Sequence, residues 1–117
     1  MKYKIDIVRI RENSITLNGW VLGKSPESRA TFRVEDERHN PVKYKLVTTR
    51  RDDVSQIYFK KTYDRDFGFD IQFPYERGKT YWLLIRCEGR QAKIKYNEEL
   101  IAKLPAWLIS GWKRLRT

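Results

Sequence analysis

The sequence predicts an all-β domain: a two-sheet, immunoglobulin-like β-sandwich of about seven strands, followed by a C-terminal helical segment. Two observations carry this prediction. Apolar residues recur at every second position in five short segments, which is the period of a strand with one buried face, and two further β-rich segments bring the number to seven. Turn-forming residues separate these segments at the spacing typical of β-sandwiches. A chain of 117 residues has room for one such domain.

The first half of the chain contains four predicted strands. A β-rich run extends from Tyr3 to Ile10, and a second run extends from Ile15 to Leu22. In the second run Gly19 shares the main apolar face, whereas Trp20 lies on the opposite face. Two further strands are marked by alternating apolar residues, at Ala30, Phe32 and Val34 and at Val42, Tyr44 and Leu46.

The second half contains three more strands. Tyr81 to Ile85 is continuously apolar, which favours a strand buried on both faces. Between the fourth and fifth strands, Thr49 to Lys61 lacks strand alternation, and we expect a helical turn there that crosses from one sheet to the other. The alternating apolar residues of the other two strands are Phe67, Phe69, Ile71 and Phe73, and Ala92, Ile94 and Tyr96.

The pattern changes after residue 97, so we divide the chain into a β-sandwich module (1–97) and an amphipathic helical connector (98–117) toward a missing downstream domain. Asn97 is a good N-cap, and Pro105 suits the first turn of a second helix. An apolar stripe and terminal cations favour contact with a membrane surface or with a following domain. The residues concerned are Trp107, Leu108, Trp112, Lys113, Arg114 and Arg116.

Composition limits the function classes. The chain carries 25 Lys and Arg against 15 Asp and Glu, a net charge of +10, which favours a polyanionic partner. The charged start predicts that there is no secretory signal, and no apolar run is long enough to span a membrane. Cys87 and His39 are single residues of their kinds, so we expect no disulfide, no metal site and no cofactor.

The sequence evidence for catalytic groups is weak. Asp64-Arg65-Asp66 matches the D-x-D pattern of metal-dependent sugar transfer, but no βαβ unit is predicted to form a nucleotide pocket. The pairs Asp52-Asp53 and Glu98-Glu99 have no His, Cys or activated Ser beside them, and carboxylates at a helix N-terminus complement its dipole. We therefore expect no enzymatic activity from this segment.

The sequence is compatible with two kinds of binding surface. Basic residues interleave with aromatics, as in Lys93-Ile94-Lys95-Tyr96, which suits either single-stranded nucleic acid or the wet face of a basic strand. Nucleic acid is the less favoured partner because no recognition motif is present. Trp20, Tyr81 and Trp82 are candidates for stacking on sugar rings, with the core as the alternative place for Tyr81 and Trp82.

Three ordered motifs carry a family resemblance. They are Leu17-Asn18-Gly19-Trp20, Arg50-Arg51-Asp52-Asp53-Val54 and Phe67-Gly68-Phe69. Together they resemble the N-terminal β-sandwich module of some bacterial family-2 glycosyltransferases, which shows G-W, then R-P-D-V, then G-F. The matched residues are Gly19, Trp20, Arg51, Asp53, Val54, Gly68 and Phe69, with Asp52 where the family usually has Pro.

The resemblance implies a non-catalytic accessory module of a glycosyltransferase that makes cell-wall or capsular polysaccharide. It implies a downstream catalytic domain in the same chain, a cytoplasmic location at the inner face of the membrane, and contact with anionic lipid or a lipid-linked glycan acceptor. A free-standing binding domain for nucleic acid or polyanionic glycan is the alternative. We expect the motif residues to be architectural: glycines for close backbone approach, and Arg51 and Asp53 as a hydrogen-bonded tie.

Overall fold

The computed structural model describes residues 1–105 and 108–110, with the backbone alone at 109 and 110. It confirms the predicted fold class: seven strands form two antiparallel sheets, with a small helical content. A further two-residue strand runs parallel to the first strand.

The first sheet has the order β4-β5-β2-β1-β8, and the second has the order β3-β6-β7. Without β8, this is the ABED and CFG arrangement of a constant-type immunoglobulin sandwich. The strands are β1 (Lys2–Arg11), β2 (Ser14–Leu22), β3 (Ala30–Asp36), β4 (Lys45–Thr49), β5 (Gly68–Pro74), β6 (Tyr81–Cys87), β7 (Arg90–Tyr96) and β8 (Ile109–Ser110).

The core lies between the two sheets and is built from alternate residues of each strand. Every second side chain of β5 is buried because the first sheet turns that face toward β6. The largest fully buried apolar side chains are Phe69, Phe73, Ile15, Leu17, Ile71, Leu83, Ile85 and Ile101. Removing their apolar surface from water is the main favourable contribution to folding.

Helix α1 (Asp52–Phe59) occupies the segment where a helical turn was predicted, but the predicted crossing between sheets is wrong. The strands on either side, β4 and β5, are antiparallel neighbours in the same sheet. The helix is therefore an excursion, and it packs against the outer face of the first sheet through a second apolar cluster. That cluster contains Trp20, Leu22, Val54 and Phe67, with Phe59 and Tyr63 beside them.

The fourth strand begins later than predicted. Val42 and Tyr44 precede β4 and lie beside β3 instead: the Val42 amide donates to the Val34 carbonyl at 2.8 Å, and the Tyr44 hydroxyl donates to the Phe32 carbonyl at 2.8 Å. The first two residues of the period-two pattern therefore belong to a connecting segment that lies along the edge of the second sheet, and not to β4.

Helix α2 (Glu98–Ala102) begins at the predicted cap, since the Asn97 side chain accepts from the Leu100 amide at 2.8 Å. A continuous second helix after Pro105 is wrong at residues 108–110. The Val8 amide donates to the Leu108 carbonyl at 2.7 Å, and β8 pairs with the edge of β1. Unpaired backbone groups on that edge outcompete helix formation. Trp107, Trp112, Lys113, Arg114 and Arg116 lie outside the described residues. No helix in the described ranges is long and apolar enough to cross a bilayer.

Candidate functional site

The seven residues that carry the resemblance lie on β2, on β5 and at the start of α1. Gly19 lies opposite Phe69 and Trp20 lies opposite Gly68 in the pairing of β2 with β5. Trp20 is only 7% exposed, and it packs with Val54 of α1 in the second apolar cluster. Trp20 and Val54 therefore pack α1 against the outer face of the first sheet, whereas Phe69 belongs to the core between the two sheets.

Arg51 forms the polar half of this attachment. Its Nε and Nη2 donate to the two oxygens of Asp53 at 3.0 and 2.9 Å, and its Nη1 donates to Asp6 at 2.7 Å. Asp6 is the extra residue of a bulge in β1, where the ladder is interrupted. The Arg51 hydrogen bonds hold the pKa of Asp53 below its usual range. The start of α1 is thus tied to β1 by charge-assisted hydrogen bonds.

Close packing requires the two motif glycines. A Cβ at position 19 would overlap the Lys4 carbonyl oxygen, and one at position 68 would overlap the side chains of Thr49 and Arg51. One expectation for this region fails: Trp20 is not available for stacking on a sugar because α1 covers it.

Tyr81 is likewise unavailable for sugar stacking. It is 5% exposed, its ring packs between the sheets against Phe73 at 5.8 Å, and its hydroxyl accepts from the Glu76 amide at 3.1 Å. A tyrosine at the start of the sixth strand that bonds back to the preceding connection is the tyrosine corner of immunoglobulin-like domains. Tyr81 fixes the entry of β6 into the core.

Trp82, by contrast, faces outward from the second sheet, so the prediction that 81–85 is buried on both faces fails at this residue. The Lys93 and Lys95 ammonium groups lie 4.6 and 5.5 Å from its ring centroid, within cation–π range. The His39 ring stacks at 6.4 Å. We call the outer surface formed by Arg33, Trp82, Arg86, Lys93 and Lys95 the cationic face.

The register of the sheet makes the cationic face a grid of three rows. Trp82 lies between Glu35 and Lys95, and Leu84 lies between Arg33 and Lys93. The third row consists of Thr31, Arg86 and Gln91. Because side chains alternate across a strand, all nine project from the same side of the sheet.

Four cationic side chains and one carboxylate occupy this grid. Glu35 accepts from Arg33 at 2.6 Å, and that hydrogen bond lowers the pKa of the carboxyl. Arg86 donates to the Gln91 side-chain oxygen at 2.7 Å. Within residues 1–105, Lys93 and Lys95 have no carboxylate partner. Positive charge therefore remains available to a ligand on this face.

Two shallow depressions continue along the cationic face. One of about 390 Å³ is lined by residues that include Leu84 and Arg33, and one of about 600 Å³ includes Arg29 and Gly89. They share Thr31, Arg86 and Gln91. The surface thus offers hydrogen-bonding groups and cations along an extended track.

The carboxylates singled out in the sequence are engaged elsewhere. Asp64 pairs with Arg50 at 3.1 Å, and Asp66 accepts from Thr48 at 2.8 Å. In the described part of the chain, no three His, Cys, Asp or Glu side chains are grouped to hold a metal ion. Burial raises the pKa of the Cys87 thiol, so it is a poor nucleophile.

The sequence contained the signal for the cationic face, although our prediction treated Tyr81 and Trp82 alike. Glu88 and Gly89 both have positive φ, of 54° and 74°, as the two-residue turn of a type I′ hairpin requires. Placing this turn at Glu88-Gly89 pairs Trp82 with Lys95. Period-two alternation then points Trp82 outward, opposite to Tyr81.

Comparisons with known proteins add no family assignment: no protein-family model matches the sequence, and no curated protein matches it.

Proposed function

We propose that this chain is a non-catalytic accessory module of a family-2 glycosyltransferase in cell-wall or capsular polysaccharide synthesis, and that its cationic face contacts an anionic glycan acceptor. The motif resemblance supports the glycosyltransferase setting at the inner face of the membrane. The observation that carries the ligand class is the pair Lys93 and Lys95, held above Trp82 without a carboxylate partner in residues 1–105.

The arrangement favours an anionic glycan over nucleic acid. Single strands are usually held by bases that stack on open aromatic rings, whereas the Trp82 indole is already in contact with two ammonium groups and His39. An anionic glycan needs cations and hydrogen-bonding groups, which the row of Thr31, Arg86 and Gln91 supplies. Holding the lysines over the ring also lowers the conformational entropy lost on binding.

The direct test is a titration of the protein with an oligogalacturonate of defined length. Binding is measured by calorimetry and by the chemical shifts of the backbone amides. We expect shifts on β6 and β7, affinity that falls with added salt, and no binding of a neutral maltooligosaccharide of equal length. The double variant Lys93→Gln, Lys95→Gln should weaken binding at least about tenfold, the loss of two charge-assisted contacts.

A matched control removes the same charge elsewhere. Lys61 lies over the Tyr63 ring at 5.5 Å, so Lys60→Gln, Lys61→Gln removes two lysines, one of them in a similar cation–π contact. The affinity of this control variant for the oligogalacturonate should stay within about twofold of that of the parent chain. Equal weakening by both pairs would show that only overall charge matters. Tighter binding of a single-stranded oligonucleotide to the same face would replace the glycan with nucleic acid.

The glycosyltransferase setting has its own test, which is the reading frame downstream of Thr117. We expect it to continue for about 250 or more residues with alternating strand and helix patterns, the length of a further domain. A stop codon directly after Thr117 would remove the accessory-module setting and leave a free-standing polyanion-binding domain.

A further inference from the structure

The edges of the two sheets are not equally protected. Strand β1 is covered by β8, and the segment before β4 covers β3 through the hydrogen bonds of Val42 and Tyr44. Strand β7 carries Lys93 and Lys95, charges of the kind that discourage edge pairing. Strand β4 pairs with β5 on one side, and in the described ranges no strand covers its other side.

The open edge of β4 carries two exposed apolar side chains toward its N-terminal half, whereas Thr48 nearer its C-terminal end donates to Asp66. Val47 is 61% exposed and Leu46 is 39% exposed. A free strand edge presents a row of unpaired amides and carbonyls that can accept another strand. Exposed β-branched residues on such an edge add favourable side-chain contacts when a strand docks.

A depression of about 450 Å³ lies at the N-terminal end of β4, and the end of β5 and the start of β2 also line it. Tyr44, Phe73 and Pro74 provide its apolar surface. Lys43 and Lys45 also line it, and neither forms an ion pair with a carboxylate of residues 1–105. The depression therefore suits an apolar side chain flanked by negative charge.

We propose that β4 is a docking edge for an extended acidic segment of a partner protein, which adds one strand to the first sheet. An apolar residue of that segment would occupy the depression, and its carboxylates would contact Lys43 and Lys45. A second copy of this chain fits less well because it brings the same lysines and a net charge of +10 to the contact. This surface lies on a different sheet from the cationic face and does not depend on the proposed glycan contact.

The probe is a synthetic capped peptide, Glu-Val-Glu-Leu-Thr-Val-Glu, compared with the same peptide in which Lys replaces each Glu. We expect the acidic peptide to shift the backbone amides of residues 45–49 and to slow their hydrogen exchange, and the basic peptide to do neither. Val47→Asp should weaken binding at least about fivefold, by adding like charge and by lowering strand propensity. Ile57→Asp adds the same charge at an equally exposed residue of α1 and should leave binding within about twofold.

Three outcomes would overturn the proposal. Equal effects of the two Asp substitutions would show that the peptide responds to net charge. Amide shifts confined to β6 and β7, and lost in Lys93→Gln, Lys95→Gln, would assign the peptide to the cationic face. Protection of 45–49 that rises with protein concentration in the absence of peptide would make a second copy the occupant of the edge.

Discussion

The outer faces of the two sheets each carry a tryptophan, and the two side chains have opposite environments. Trp20 of the first sheet is buried under α1 and packs with Val54 and Phe67. Trp82 of the second sheet is half-buried. Two lysine ammonium groups lie over its ring, where a helix covers Trp20. The first face is closed by apolar contacts, whereas the second remains open and charged.

The difference shows how the covering element, and not the residue type, decides what a tryptophan does. On the first sheet the excursion between β4 and β5 supplies a helix, and Arg51 ties that helix to Asp6 of β1. On the second sheet the β6–β7 turn has only two residues, and in the part of the chain that the structure describes no helix lies between these strands to cover the face. The helix-covered face therefore contributes to stability, and the open face is free to contact a ligand.

The largest effect expected from this comparison is on stability. Trp20→Ala should lower the free energy of unfolding by about 3–5 kcal/mol, because it removes a buried indole and leaves a cavity beneath α1. Trp82→Ala should cost less than about 1.5 kcal/mol, since its ring is partly in water. Urea unfolding of both variants measures the difference. Equal losses would mean that the two faces do not differ as the structure indicates.

A second, smaller effect is expected at the polar tie. Arg51→Met should lower the free energy of unfolding by about 1–2 kcal/mol, since it leaves Asp6 and Asp53 without their shared donor. The Asp53 pKa is lowered in the folded state, so its contribution is present above the unfolded carboxyl pKa and disappears as pH falls through the folded value. Urea unfolding between pH 7 and pH 3 should therefore show the parent chain and Arg51→Met converging in acid.

Lys79→Gln is the matched control for this measurement. Lys79 forms an exposed ion pair with Glu76 at 2.9 Å, and such surface pairs contribute little. Its substitution should leave the free energy of unfolding at neutral pH unchanged within the error of the measurement. A gap between the parent chain and Arg51→Met that stays constant down to pH 3 would show that packing of the Arg51 stem, not the ion pair, provides the stability.

Local patterns predicted the fold and the cap of α2 because they depend on near neighbours in sequence. Period-two alternation located the strands, and Asn97 marked the start of α2. The position of α1 was predicted, but not the face it covers, since that depends on β4 and β5 being partners in one sheet. Pairing of strands distant in sequence is set by the whole core, which no single segment encodes.

The structural residues of the candidate site were predicted from the sequence, but the exposed aromatic residue was not. Glycines and the Arg51–Asp53 tie were expected as architecture, and the contacts of Gly19 and Gly68 have that geometry. Trp82 was grouped with Tyr81 because a continuous apolar run hides the alternation of faces. The register, with Trp82 opposite Lys95 and Glu35, shows that Trp82 and not Tyr81 is the exposed residue.

The smallest expected effect concerns the residue adjacent to Trp82 on the inner face. Tyr81→Phe removes the acceptor of the Glu76 amide and should lower stability by about 0.5–1.5 kcal/mol. Tyr75 is its matched control: its buried hydroxyl has no hydrogen-bond partner among the described residues, so Tyr75→Phe should be neutral or stabilising. Urea unfolding separates the two substitutions, and a loss of stability in Tyr75→Phe as large as in Tyr81→Phe would contradict the tyrosine-corner role.

If Tyr81 acts only on the inner side of β6, then Tyr81→Phe should also leave the affinity of the cationic face for the oligogalacturonate unchanged. Adjacent residues of one strand would then divide folding and binding between them.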